Sequence, residues 1–396
     1  MISVLGIVAA LIALAALLLV AGRLTQILLT RVLRHAPYAV SERARELHAG
    51  LTIVDLHADA LLWKRDLLRR NRVGQADLPR LVAGNVAVQV FAAVTKFPGA
   101  AVYRGKSYNI DLLVPLAAVQ FWPFGAWTGL KYRALYQARR LHRLSADSNG
   151  RLRILKARED LDAFLAERRE RPDILGGILA IEGVHCLEER IENLDELFHA
   201  GFRLAGLVHF CDNAAGGSSN GVGGGGLTPF GRAVVARMEA LSMIVDLAHA
   251  SPRLIDDVLG VASRPVLVSH TGVRGAYDNV RNLSDEHARA VAAAGGILGV
   301  GYWKDAIGPP SPMAIARTAA YLAELVGIEH VALGSDFDGG VRTPLDASEL
   351  PAITQALLDV GLDAEAIARI MGGNAVEFFA RALPAAVVDV PPPLVS

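Results

Sequence analysis

The chain has 396 residues, enough for one large barrel-type domain or two ordinary ones. Forty basic and forty acidic residues cancel, which excludes the strongly positive footprint of a nucleic-acid-binding protein. Two cysteines are too few for a disulfide framework, and the high hydrophobic content of 52% is partly gathered at the N-terminus.

From Ile2 to Gly22 there is no charged residue, and nearly every position is Ala, Leu, Val or Ile. As a helix this run is about 31 Å long, enough to cross a bilayer. No Lys or Arg precedes it, which argues against a cleaved signal peptide, and residues 1–22 therefore read as a transmembrane anchor. Arg23, Arg31 and Arg34 follow, and the positive-inside rule places that flank in the cytoplasm. Residues 23–50 read as a basic, amphipathic linker helix lying along the membrane surface.

The catalytic domain is expected over residues 51–382, with a tail at 383–396. It opens with Ile53-Val54-Asp55-Leu56-His57-Ala58-Asp59, a buried strand running into polar residues. His57 and Asp59 are two apart and share a face on an extended backbone, so both can reach one divalent metal. Alone, His-x-Asp is a weak signal. Seven further apolar runs of strand length follow, at Ala87–Val94, Gly177–Ile181, Leu204–Val208, Met243–Leu247, Pro265–Val268, Gly296–Gly301 and His330–Leu333. Helical patterns fill the gaps, as at Ile191–Ala200, Phe230–Leu241, Pro252–Val261, Ser284–Ala294 and Pro312–Val326. Eight alternating units predict an α/β fold, a (β/α)8 TIM-type barrel, preceded by the N-terminal transmembrane helix.

One interval is long. Residues 97–150 carry the aromatic cluster Phe121-Trp122-Pro123-Phe124-Gly125-Ala126-Trp127, a basic helical run from Lys131 to Arg143 and a polar turn at Asp147–Gly150. A lid, an oligomer contact, a membrane-touching element and a locally packed insertion all fit it. Residues 216–226, rich in glycine, lack the strand and Lys of a phosphate-binding loop and read as a mobile loop on the active-site face.

In this barrel class chemistry sits where strands run into their following loops. Those positions hold His57 and Asp59, Glu182, His209, His249, His270 and Asp336. Each is unremarkable singly; seven ligand-type residues on one rim predict a metal site. Three imidazoles and two carboxylates exceed the three protein ligands of a mononuclear catalytic zinc and suit two metals. Without a thiolate in the set, zinc fits, and manganese and cobalt fit the same donors. Cys186 and Cys211 lie off the strand ends and read as buried free thiols.

Taken together these segments resemble the membrane dipeptidase (renal dipeptidase) family of zinc metallopeptidases. The motifs are Asp-Leu-His-Ala-Asp at 55–59, Ile-Glu-Gly at 181–183, Leu-Val-His-Phe-Cys-Asp-Asn at 207–213, Val-Asp-Leu-Ala-His at 245–249, Val-Ser-His at 268–270, Val-Arg-Asn at 280–282 and Gly-Ser-Asp-Phe-Asp-Gly at 334–339. The resemblance implies that His57 and Asp59 hold one zinc, His249 and His270 the other, and that Glu182 bridges both. It implies that Asp336 is the catalytic acid/base and His209 the group facing the substrate carbonyl. It also implies that Arg281 grips a free carboxylate and that Tyr302 lines the substrate pocket. The implied activity is hydrolysis of dipeptides by a hydroxide shared between two zinc ions. Another amide substrate, such as an N-acyl amino acid or a β-lactam, would fit the same centre, and a non-catalytic tethered binding protein is the contrasting class. Relatives imply a homodimer and a location outside the cytoplasm, against the reading of the flanking charges. The N-terminal span and the absence of the mammalian members' disulfides depart from the family pattern.

Overall fold

The computed structural model describes residues 4–98 and 110–386, excepting the side chains before residue 13 and those of residues 14 and 15. Nine parallel strands form one sheet: β1 Ile53–Ala58, β2 Val86–Val94, β3 Leu152–Ile154, β4 Leu175–Glu182, β5 Phe202–Gly206, β6 Ile244–Asp246, β7 Leu267–Thr271, β8 Ile297–Val300 and β9 Val331–Leu333. The order β2-β1-β9-β8-β7-β6-β5-β4 is closed by a long β2–β4 pairing, from Val88 opposite Gly176 to Val94 opposite Glu182. All eight expected strands are therefore present and closed. β3, which sequence reading missed, is a three-residue strand paired to the start of β4, in the interval between β2 and β4.

The strands are apolar at nearly every position because both faces are covered. One buried cluster takes Val54, Val88, Ile178, Leu204, Ile244, Leu267, Ile297 and Ala332, together with Phe378 and Phe379. A set drawn from all eight barrel strands can meet only in the lumen. The alternate positions pack on the outer helices in a larger cluster. Several of those helices start where their sequence directs. The hydroxyls of Thr228, Ser251 and Ser311 cap helices Pro229–Ala240, Pro252–Leu259 and Pro312–Val326, each with Pro in the first turn, and Ser284 caps Asp285–Ala293.

A helix does form, over Val4–Leu29, but among the described residues no helix is long and apolar enough to cross a membrane. It runs on past Gly22 through Arg23 and Gln26, and its later turns seat on the protein. A Cβ at Gly22 would come within 3.0 Å of the Val119 carbonyl oxygen. The expected single linker helix over residues 23–50 does not form. After Leu29 the chain is irregular and pinned to the barrel: Leu33 N donates to the Thr343 carbonyl at 2.9 Å and the Tyr38 hydroxyl to that of Pro344 at 2.7 Å. Only Glu42–Ala49 is helical, capped by Ser41.

From residue 110 on the insertion is locally packed, and its residues 99–109 lie outside the described residues. Trp122 is buried and its ring lies 4.9 Å from that of Tyr136, while the Trp127 indole donates to the Trp122 carbonyl. The basic run forms helix Leu130–Asp147, whose Arg133 and Arg140 donate to backbone carbonyls of residues 61–65, 95 and 126–127. The expected turn follows, with Asn149 and Gly150 at positive φ.

Candidate metal centre

The seven rim residues meet. Glu182 ends β4, and one of its oxygens, Oε1, lies 3.4 Å from His57 Nε2, 3.1 Å from His249 Nε2 and 3.5 Å from His270 Nε2. Its other oxygen is 3.4 Å from His209 Nε2. Asp59 Oδ1 stands 3.5 Å and Asp336 Oδ1 4.0 Å from His57 Nε2. His249 Nε2 and His270 Nε2 are 3.0 Å apart. All seven side chains are buried.

Local backbone explains the convergence. His249 (φ 65°) and Asp336 (φ 59°) adopt left-handed conformations just beyond strand ends, turning the chain sharply so that their side chains re-enter the rim. Gly339 is required by the crowding: a Cβ there would fall 1.9 Å from Asp336 Oδ1 and 2.9 Å from Asp59 Oδ2. Two buried carboxylates that sequence reading did not single out brace the rim from below. Asp55 accepts from the backbone of His57 and Ser335, and Asp246 from that of Ala248 and Ser269. Their signal was spacing, since each precedes a site histidine by two or three residues. The Ser269 hydroxyl lies 2.9 Å from His270 Nδ1 and orients that ring.

The donor set fits metal ions. Bonds of 2.0–2.1 Å in a tetrahedron separate neighbouring ligand atoms by about 3.3 Å. The spacings around Glu182 cluster near that value and are long for good hydrogen bonds. His57 Nε2, Asp59 Oδ1 and Glu182 Oε2 are buried without a hydrogen-bond partner, the state of atoms built to face a cation. Glu182 belongs both to a set with His57 and His270 and to one with His209 and His249, and a third set joins His57, Asp59 and Asp336.

The carboxylates are electrostatically divided. Burial opposes the Glu182 charge, but the imidazoles of His209 and His57 hold its pKa well below the usual range. Burial pushes Asp336 well above its usual value, with Asp59 and Glu182 adding to the shift against the pull of His57. Asp59 is pushed to about 7 by burial and the Glu182 charge. Two groups with pKa values driven apart in one pocket are the arrangement that acid–base chemistry uses.

His209 Nδ1 lies 3.0 Å from the Lys96 carbonyl oxygen and donates to it, so the neutral ring turns a lone pair, not a proton, toward Glu182. Arg281 is buried, donates to the His270 carbonyl at 3.0 Å and has its guanidinium carbon 5.7 Å from the Trp303 ring centroid. The ring of Tyr302 is fully buried edge-on to Phe337 at 5.5 Å, and its hydroxyl has no hydrogen-bond partner. The residue of this strand end that reaches the site is Trp303, whose ring is 5.7 Å from His270. In Gly301-Tyr302-Trp303 the sequence offers two aromatics and no marker of which turns inward.

The glycine-rich loop lies on the site's face, as expected, but it is tied down rather than mobile in its first half. Ser218 and Gly223 donate to the Asp212 carboxylate, Ser219 N to the His249 carbonyl and the Ser218 hydroxyl to that of His209. Cys186 and Cys211 are free and buried.

Comparison with known proteins agrees with this architecture. The family model described as membrane dipeptidase (peptidase family M19) matches residues 41–386. The chain belongs to the membrane dipeptidase family. Among relatives, one uncharacterized dipeptidase of Schizosaccharomyces pombe is 26% identical over 374 residues, covering 88% of this chain and 85% of its own. A second from the same organism is 32% identical over 213 residues, and there the match spans about half of each protein, 50% of this chain and 51% of the relative. A metallopeptidase of Rhodobacter sphaeroides, solved with a phosphinate mimic of the dipeptide L-Ala-D-Ala, shares the fold with a TM-score of 0.68 at 23% identity, over 84% of this chain and 99% of that one. This membrane dipeptidase family member thus joins the metallopeptidases, and its barrel is the family's barrel.

Proposed function

We propose that the chain is a metal-dependent dipeptidase that hydrolyses dipeptides with a free C-terminal carboxylate. Its two zinc ions would be held by His57, Asp59, Glu182, His249 and His270. The observation that supports this reading is Glu182, one carboxylate within 3.1–3.5 Å of four imidazole nitrogens. Zinc bound there supplies a water acidified toward pH 7 and a Lewis acid for the scissile carbonyl.

The chain's own residues do the rest. Asp336 takes the attacking water's proton and delivers it to the leaving amine, a task suited to a carboxyl whose pKa is raised by burial. His209 faces the substrate carbonyl, its ring held in place by the Nδ1–H bond to the Lys96 carbonyl. Arg281 presents a forked, permanently charged donor to the substrate's terminal carboxylate, held in place by its bond to the His270 carbonyl. Trp303 walls the pocket between His270 and Arg281.

Chelation should abolish hydrolysis of a small L- and D-dipeptide panel, and zinc should restore it with two ions per chain by elemental analysis. Full activity in metal-free protein would overturn the proposal.

A further inference from the structure

Two cavities adjoin where the N-terminal helix seats on the insertion. The first, of about 600 Å³, is bounded by Leu19, Val20 and Arg23 of that helix, by Lys64 and Arg72, and by Phe121. The second, of about 660 Å³, shares Lys64, Arg65 and Phe121 with it and takes in Tyr132, Arg139 and Arg143 of the basic helix. The shared residues make the two one surface. Lys64 lies in the loop after β1, five residues on from Asp59, and Phe121 lies in the segment after β2.

Arg23, Lys64, Arg72, Arg139 and Arg143 are exposed on this surface, and among the described residues none of them forms an ion pair. Lys64 Nζ donates to the Phe121 carbonyl at 3.4 Å and stands 5.5 Å from that ring's centroid, while the Arg139 guanidinium carbon is 4.9 Å from the Tyr132 ring. The acid that lines the second cavity, Asp66, is 3.3 Å from Arg69. Apolar side chains stand open among these cations. Leu19 is 58% exposed, Val20 55%, Phe121 41% and the nearby Phe124 74%. Phe124 is braced on Trp127, with ring centroids 5.5 Å apart.

An exposed apolar patch set among Lys and Arg is complementary to an anionic bilayer, whose headgroups meet the charges and whose acyl boundary takes the side chains. An acidic polypeptide would meet the charges without the apolar layer beneath them. We propose that this face docks on the surface of an anionic phospholipid bilayer. The contact is interfacial and needs no segment that spans the bilayer, and it does not rest on the dipeptidase reading.

The test attaches an environment-sensitive dye to the full chain carrying Phe124→Cys, the native Cys186 and Cys211 being buried. The dye reports contact of this face itself, however the N-terminal helix attaches. Vesicles of phosphatidylcholine alone are compared with vesicles that also contain phosphatidylglycerol. The dye should shift to the blue on the anionic vesicles, and the preference should vanish in about 1 M salt, where charges are screened beyond about 3 Å. Each basic residue near such a surface contributes about fivefold in partition. Changing Arg72, Arg139 and Arg143 together to Gln should therefore weaken docking about a hundredfold, and Arg139→Gln alone about fivefold. A melting temperature within a few degrees of the wild type checks that each variant is folded. No shift on anionic vesicles, an equal shift on neutral ones, or a triple variant that keeps the anionic preference would overturn the proposal. A shift that appears without vesicles and rises with protein concentration would assign the face to a second copy of the chain and overturn it as well.

Discussion

Asp336→Asn isolates proton transfer from everything else this residue does. The side chain is buried against Gly339, where there is no room for a longer group, and asparagine is its isostere. The backbone sits at φ 59°, and asparagine tolerates that region nearly as well as aspartate, whereas alanine would add about 1–2 kcal/mol of strain. Asp336 Oδ1 lies 4.0 Å from His57 Nε2, farther than the 3.5 Å of Asp59 or the 3.4 Å of Glu182, so it is the least engaged of the three carboxylates. The variant should therefore fold, melt within a few degrees of the wild type and keep both metals. What it loses is a group able to accept and return a proton, worth about 10²–10⁴-fold in rate, or about 3–5 kcal/mol of barrier. Steady-state kinetics on a dipeptide, with zinc content measured on the same sample, decides it. A fall in kcat below tenfold with both metals retained would refute the assigned role; loss of one metal would show Asp336 to be a ligand instead.

Three further outcomes are expected. Arg281→Ala should raise KM for dipeptides by about tenfold or more while sparing a C-terminally amidated analogue, and equal losses on both would remove its assignment. Because Asp59 is held at about 7 in the metal-free protein, its proton must leave before metal binds. Apparent zinc affinity should then drop by up to about tenfold per pH unit below 7, with proton release visible by calorimetry in buffers of different ionisation enthalpy. An affinity flat from pH 5.5 to 7.5 would contradict that. Tyr302→Phe removes a buried hydroxyl that has no partner, so stability should hold or rise by up to about 1 kcal/mol with kcat/KM unchanged; a large loss of activity would restore Tyr302 to the substrate pocket.

The site was legible because strand ends in a parallel barrel are fixed by a simple rule: an apolar run stops where the chain leaves the core. His57, Glu182 and His270 stand at or within the ends of β1, β4 and β7, and the polar residue after each run could be placed without coordinates. His249 and Asp336 lie three residues beyond β6 and β9, and they reach the same rim only through left-handed turns. Composition does not announce such turns at a histidine or an aspartate. The same gap hid Trp303: once a strand has ended, the alternation that assigns faces no longer applies, and Tyr302 and Trp303 had equal claims.

The linker after Leu29 was less legible for a different reason. Tertiary partners far along the chain made the difference here: Val119 against Gly22, Thr343 and Pro344 for the segment after Leu29, and Gln355 accepting from Ser41 N. The barrel motifs needed no such long-range knowledge, because each strand carries its site residue with it. The linker's path depended on surfaces that exist only after the barrel has closed.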